Sequence, residues 1–178
     1  MVLGDKKINR VYLNGYMGSG KSTIGLKLAQ ALNFAFVDMD KFIEEKYFMS
    51  ISAIFAKEGE SGFREKERMA LVELSQFDHV VIATGGGTPC FFNNIDVISE
   101  TGVSVYLDTP IPILVQRLSQ NNSQRPIVKG KSREELFHFI EGSLSERVPY
   151  YMRSTVVIHS DDTLTATTII DHIEAVLS

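Results

Sequence analysis

Short apolar, β-prone runs alternate with longer stretches whose apolar residues recur at helical spacing. The runs are Arg10–Leu13, Ala35–Val37, His79–Ala83, Val103–Leu107 and Thr155–His159. Between the first two, Thr23–Leu32 brings Ile24, Leu28 and Ala31–Leu32 to one face, and Asn33 ends the helix. Short helices are expected over Lys41–Ala56, then a loop at Lys57–Glu60 and a longer helix over Ser61–Phe77. Further helices are expected near Asn93–Glu100, from Pro110 or Pro112 to Ser119, and from a Ser132–Glu135 capping box to Glu146. The last helix is expected over Leu164–Leu177, capped by Asp162 or Thr163. Strand–helix alternation of this kind implies parallel strands joined by crossover helices. The expected fold class is therefore α/β, a five-stranded parallel sheet with helices on both faces. No repeat, low-complexity tract or linker divides residues 1–178, which read as one domain. Gln120–Lys131 breaks the pattern: it is polar, carries Arg125-Pro126, and reads as an inserted loop between two helices.

The first strand and helix enclose Gly15-Tyr16-Met17-Gly18-Ser19-Gly20-Lys21-Ser22, a G-x-x-x-x-G-K-S phosphate loop in its proper strand–loop–helix setting. Its backbone N–H groups and the helix N-terminus suit phosphate oxygens. Lys21 reaches the β- and γ-phosphates, and the Ser22 hydroxyl is a Mg²⁺ ligand. Gly18, Ser19, Gly20 and Thr23 complete the ATP cradle. A plain glycine-rich turn is the alternative, and the full pattern in context disfavours it.

Ligands of open parallel sheets bind beyond the carboxyl ends of the strands. Asp38, Asp40, Thr84-Gly85-Gly86-Gly87 and Asp108 all fall at that edge. Asp38 and Asp40 share a side of an extended chain, suited to hold Mg²⁺ through water and to accept a hydroxyl proton. Asp40 alternatively caps the helix starting at Lys41. Arg64 taken alone reads as a surface charge, with Glu60, Glu65 and Glu67 as surface partners. Arg125, in the inserted loop, is suited to close over ATP. Arg147 follows the helix leaving that loop and can face the same cleft. The usual acidic residue ending the metal-binding strand is missing, because the third strand ends in Thr84. Asp108-Thr109-Pro110 reads as a helix cap. No Asn-Lys-x-Asp guanine-reading motif occurs.

Composition narrows the partners. The chain has 44% hydrophobic and 22% charged residues, a net charge of −4 and no basic run. That argues against broad nucleic-acid binding and leaves an anionic substrate to a few local arginines. The one cysteine, Cys90, excludes an internal disulfide and agrees with a reducing cytoplasm. No apolar run reaches membrane-spanning length, and the first ten residues are too polar for a signal peptide. The four histidines lack metal-ligand spacing.

With these motifs in hand, the chain resembles the shikimate kinases nearly end to end. The resemblance rests on Gly15–Ser22, Asp38-x-Asp40, Ile54-Phe55 through Gly59-Glu60, Phe63-Arg64 and Glu67, Ala83–Gly87, Arg125-Pro126, and Glu146-Arg147-x-Pro149-x-Tyr151. It implies a P-loop NTPase fold of the nucleoside-monophosphate-kinase-like type, three-layered α/β/α. It also implies a substrate-binding subdomain at about 38–67 and a lid at about 120–131. The implied reaction is transfer from ATP to the 3-hydroxyl of shikimate, toward aromatic amino acids, with Mg²⁺, in a cytoplasmic monomer. Arg64 and Arg147 would hold the shikimate carboxylate, and Gly86 would contact shikimate through its backbone. Asp40 would orient or deprotonate the hydroxyl. Lys21 and Arg125 would stabilise the moving phosphoryl group, Ser22 and Asp38 would hold Mg²⁺, and Glu67 would orient Arg64. Ser160–Leu164 lacks the Arg and Pro that some relatives set beside adenine, so Arg117 is the candidate for stacking on the base. The rival readings are a kinase for another small molecule such as gluconate, and a nucleotide-binding regulatory module without turnover.

Overall fold

The computed structural model describes residues 2–3, 6–120 and 130–178. An antiparallel pair of two-residue strands, β1 (Val2–Leu3) and β2 (Lys6–Lys7), opens the chain. The sequence pattern does not announce it. The main sheet comprises β3 (Arg10–Asn14), β4 (Ala35–Asp38), β5 (Val80–Ala83), β6 (Val103–Asp108) and β7 (Val156–His159). Its order is β4-β5-β3-β6-β7, and every pairing is parallel. The expected architecture is therefore present among the described residues.

Alternation along β3 divides the core. Val11 and Leu13 face α1 (Lys21–Leu32) and α7 (Ala166–Leu177), whereas Tyr12 faces the opposite layer. That layer contains α2 (Met39–Tyr47), α3 (Ile51–Leu74) and α4 (Asn94–Thr101), with Met39, Ile54, Leu71 and Ile98 fully buried. Beyond it, α5 (Ile111–Gln120) and α6 (Arg133–Tyr151) close a third apolar cluster around Tyr16, Tyr106 and Tyr151. Burial of side chains this size stabilises by roughly 1.5–3 kcal/mol each. Below the sheet, the buried Arg10 guanidinium donates to the Phe77 carbonyl at 2.8 and 2.6 Å and to the Thr101 carbonyl, tying the loops behind α3 and α4.

Several boundaries differ from expectation. The loop at Lys57–Glu60 shrinks to one residue: α3 is helical on both sides of Gly59, whose φ of 71° and ψ of −174° interrupt it. The helix after β4 is capped by Asp38, not Asp40, and begins at Met39. Its Oδ1 accepts from the Asp40 and Lys41 amides at 3.2 and 3.4 Å. Helix α6 runs past Glu146 and through Pro149 to Tyr151, because burial of Tyr151 outweighs the one hydrogen bond that proline withholds. The last helix is capped by Thr165 rather than Asp162 or Thr163, since Asp161 ties Thr163 into a turn. Asp108 is not a helix cap. Its carboxylate accepts from the Tyr106 hydroxyl at 3.2 Å, and the Pro110 carbonyl is the first acceptor of α5. The Ser132–Glu135 capping box and the Asn33 stop are as expected. The Arg125-Pro126 pair and most of the anticipated lid lie outside the described residues.

Candidate active site

The parallel register brings the site together. Leu13 and Asp38 both pair with Ala83, so the phosphate loop, the Asp38 turn and the glycine triplet leave the sheet side by side. Gly20, with φ of 91°, is the N-cap of α1, a backbone shape that a side chain would strain. Its carbonyl accepts from the Ile24 amide at 2.9 Å and starts the helix. Buried Lys21 lies back along the loop and donates to the Gly15 and Tyr16 carbonyls at 2.8 and 3.0 Å. The Ser22 hydroxyl donates to Asp38 Oδ2 at 2.5 Å. These are two hard oxygen groups at the mouth of a phosphate loop, a donor set that suits Mg²⁺ completed by water and phosphate oxygens.

A cavity of about 560 Å³ opens above this edge. Gly18, Ser19, Gly20, Lys21, Ser22 and Thr23 line one wall. Asp38, Asp40 and Gly86 line another, with Arg117 and Ser160–Asp162 at the far end. Arg117 is fixed there by hydrogen bonds to the Gly18 carbonyl at 3.1 Å and to Asp162 Oδ1 at 2.7 Å. It thus joins the phosphate loop to the segment after β7.

The triplet Gly85-Gly86-Gly87 is the seam between this cavity and Arg64 and Arg147. None of the three has a positive φ, so the backbone does not demand glycine; space does. A Cβ at Gly85 would stand 2.7 Å from Glu67 Oε1 and 3.1 Å from Asp40 Oδ1. At Gly86 it would stand 3.3 Å from the Met17 amide and 3.6 Å from Arg147 Nη1, and at Gly87 only 2.6 Å from Arg64 Nη1. Gly85 thus clears room for Glu67 and Asp40 and Gly87 for Arg64, while Gly86 lies close against the phosphate-loop backbone at Met17.

Arg64 is not a solvated surface charge. Its side chain is 11% exposed, its guanidinium lies 4.0 Å from the centre of the Phe91 ring, and Nη1 donates to Glu67 Oε2 at 2.8 Å. Nη2 reaches Glu60 at 3.2 Å. Glu67 is buried and also accepts from the Thr88 hydroxyl at 2.6 Å. Burial pushes its pKa above the usual carboxyl range, and Arg64 opposes that rise. Arg147 stacks over the Tyr16 ring at 5.3 Å and makes no ion pair among the described residues. The Tyr151 hydroxyl donates to the Gly86 carbonyl. Under the phosphate loop, Asn14 accepts from the Thr84 hydroxyl at 3.1 Å and donates to Ser154 at 3.0 Å. Sequence reasoning passed over Asn14 and Tyr16. Asn14 carried a signal, as a polar residue closing the strand next to the phosphate loop; Tyr16 carried none beyond its place in that loop.

Lys21, Ser22, Asp38, Asp40, Gly86 and Arg117 therefore share one cavity, with Arg64 and Arg147 adjoining it across the glycine seam. Arg125 lies outside the described residues. No helix is long and apolar enough to cross a membrane among the described residues. Nor does any cluster of three or more His, Cys, Asp or Glu suited to hold a metal occur among them.

Comparison with known proteins places the fold in a family. The family model described as shikimate kinase matches residues 17–178. A shikimate kinase of Parabacteroides distasonis is 42% identical over 164 residues, covering 92% of this chain and 95% of that protein. The crystal structure of shikimate kinase from Bacteroides thetaiotaomicron superposes with a TM-score of 0.88 at 37% identity, covering 96% of this chain and 99% of the other. Shikimate kinase from Acinetobacter baumannii, solved in complex with shikimate, superposes at 0.84 and 32% identity, covering 96% and 94%. The family model spans most of the chain and the matches cover nearly all of it, and the chain belongs to the shikimate kinase family.

Proposed function

We infer that this site transfers the γ-phosphoryl group of ATP to the 3-hydroxyl of shikimate, giving shikimate 3-phosphate and ADP on the route to aromatic amino acids. The observation that carries the reading is the Gly85–Gly87 seam, which sets a phosphate-loop cavity against two arginines with Asp40 beside it.

The residues divide the work. Arg64 and Arg147 take the substrate carboxylate; two guanidinium forks suit that planar anion and let a chain of net charge −4 bind an acid. Glu67, with Phe91 stacked above, holds Arg64 in place, and the Gly86 backbone contacts the substrate. Asp40 orients the 3-hydroxyl and accepts its proton as the oxygen bonds to the γ-phosphorus and the bond to ADP breaks. Lys21 turns from its two carbonyls to the phosphates, and Gly18, Ser19, Gly20 and Thr23 cradle them. With Arg125, Lys21 stabilises charge on the transferring group. Ser22, and Asp38 through water, would hold Mg²⁺, which neutralises phosphate charge when bound. Arg117 lies against the adenine. Residues at about 120–131 act as a lid that excludes water, and residues at about 38–67 form the substrate-binding subdomain. The single cysteine and the absence of any basic run support a cytoplasmic enzyme whose partners are these two small molecules, working as a monomer.

The test is ADP release with Mg²⁺ and ATP, using shikimate, gluconate or no acceptor. The expected result is shikimate-dependent release that falls about 10²–10⁴-fold in Asp40→Asn. Release indifferent to shikimate would remove the substrate assignment. Release with gluconate alone favours the rival kinase, and nucleotide binding without turnover favours the regulatory module.

A further inference from the structure

Tyr16 is the second residue of the phosphate loop, yet its side chain is 1% exposed and points away from the phosphate cradle into the apolar cluster under α6. Three contacts meet on it. Its carbonyl accepts from Lys21 Nζ at 3.0 Å. Its ring lies beneath the Arg147 guanidinium, 5.3 Å from centroid to cation. Its hydroxyl hydrogen-bonds the Ser143 hydroxyl. Ser143, Arg147 and Tyr151 are spaced by four along α6 and so share one face. The last of them holds the Gly86 carbonyl. One side of α6 therefore touches the phosphate loop, carries a substrate arginine and pins the glycine seam.

We propose that Tyr16 is a positioning residue that couples the nucleotide half of the site to the shikimate half. The proposal rests on the assignment of ATP and shikimate above. With no nucleotide, Lys21 is held by the Tyr16 and Gly15 carbonyls. When phosphate draws the ammonium away, the loop backbone at Tyr16 loses that bond and resettles. The phenol passes the change to Ser143, and Arg147 moves with it one turn further along the same rigid helix. The cation–π contact between Tyr16 and Arg147 gives a second, shorter route. Nucleotide thereby fixes Arg147 in the orientation that takes a carboxylate, and by linkage shikimate tightens nucleotide to the same degree.

The test is calorimetric titration of shikimate with and without saturating Mg²⁺-ADP. It is run on wild type, Tyr16→Phe, Ser143→Ala, the double variant and Tyr16→Leu, with the Tm of each recorded. Wild type should bind shikimate more tightly when nucleotide is present. Tyr16→Phe and Ser143→Ala should each reduce that enhancement about threefold to tenfold, the worth of one hydrogen bond. The double variant should lose no more than either single one, because both remove the same bond. Tyr16→Phe keeps the ring under Arg147, so its shikimate affinity without nucleotide should stay close to that of wild type. Tyr16→Leu, lacking the ring, should weaken it. Lowered Tm with an unchanged enhancement ratio would make Tyr16 a packing residue only and overturn the proposal, as would a wild type with no enhancement. A wild type that binds nucleotide but no shikimate overturns the substrate assignment itself, an outcome distinct from the other two.

Discussion

At the scale of single residues, the site depends on glycines that give up space. Gly87 is the sharpest case, because a methyl group there would overlap the Arg64 guanidinium, with 2.6, 2.8 and 2.9 Å to its three nearest atoms. Arg64 cannot retreat, being stacked on Phe91 and bonded to buried Glu67. Gly87→Ala should therefore raise the KM for shikimate about 10- to 100-fold, the worth of displacing one charge-assisted contact. The KM for ATP should change little. Steady-state kinetics with each substrate varied in turn separates the two. A rise in both constants would place the defect in the sheet edge rather than in Arg64. Glu67 belongs to the same scale: a buried carboxylate is tolerated here because it has a guanidinium and a hydroxyl as partners.

At the scale of elements, the break in α3 is the informative feature. Gly59 sits in a region of backbone space that residues with a side chain enter only under strain, and a Cβ there would touch nothing. Gly59→Ala should cost about 1–3 kcal/mol through the backbone alone. Gly142→Ala, in the interior of α6 with equally open surroundings, should be neutral or mildly stabilising. Urea unfolding of the two variants checks the contrast, and equal midpoints would mean that α3 can straighten at no cost. The expected loop at Lys57–Glu60 was half legible. Gly59 marked the interruption, but helical packing of Ile54, Phe63 and Leu71 on both sides confined it to one residue. The same tertiary override carried α6 through Pro149, where sequence rules alone stop the helix.

At the scale of the molecule, five parallel strands put the acidic turn, the phosphate loop and the glycine seam on one edge, and α5 with the segment after β7 bounds the cavity there. Ligands that bind this edge bridge elements distant in sequence, so they should stabilise the whole fold. Mg²⁺-ADP at about 100 times its Kd should add about 2.7 kcal/mol. For a chain of this length that raises Tm by roughly 5–10 °C. A thermal scan with nucleotide, shikimate and both provides the measurement. No shift at saturating nucleotide would contradict the placement of ATP in this cavity.

By itself the sequence determined the strand–helix order, the parallel sheet, the phosphate loop and the residue types of the site. Those are written in local periodicity and in motifs a few residues long. Tertiary structure alone decided what distance along the chain conceals. It buried Arg64 against Phe91, 27 positions away, and moved the helix cap from Asp40 to Asp38. It joined Arg117 to Asp162 and placed Tyr16 between Lys21 and Arg147. It also showed that the glycine triplet serves space rather than turn geometry. The physical reason is the same in each case. Burial and charge pairing depend on which surfaces the sheet brings face to face, and no local pattern encodes that before the strands take their order.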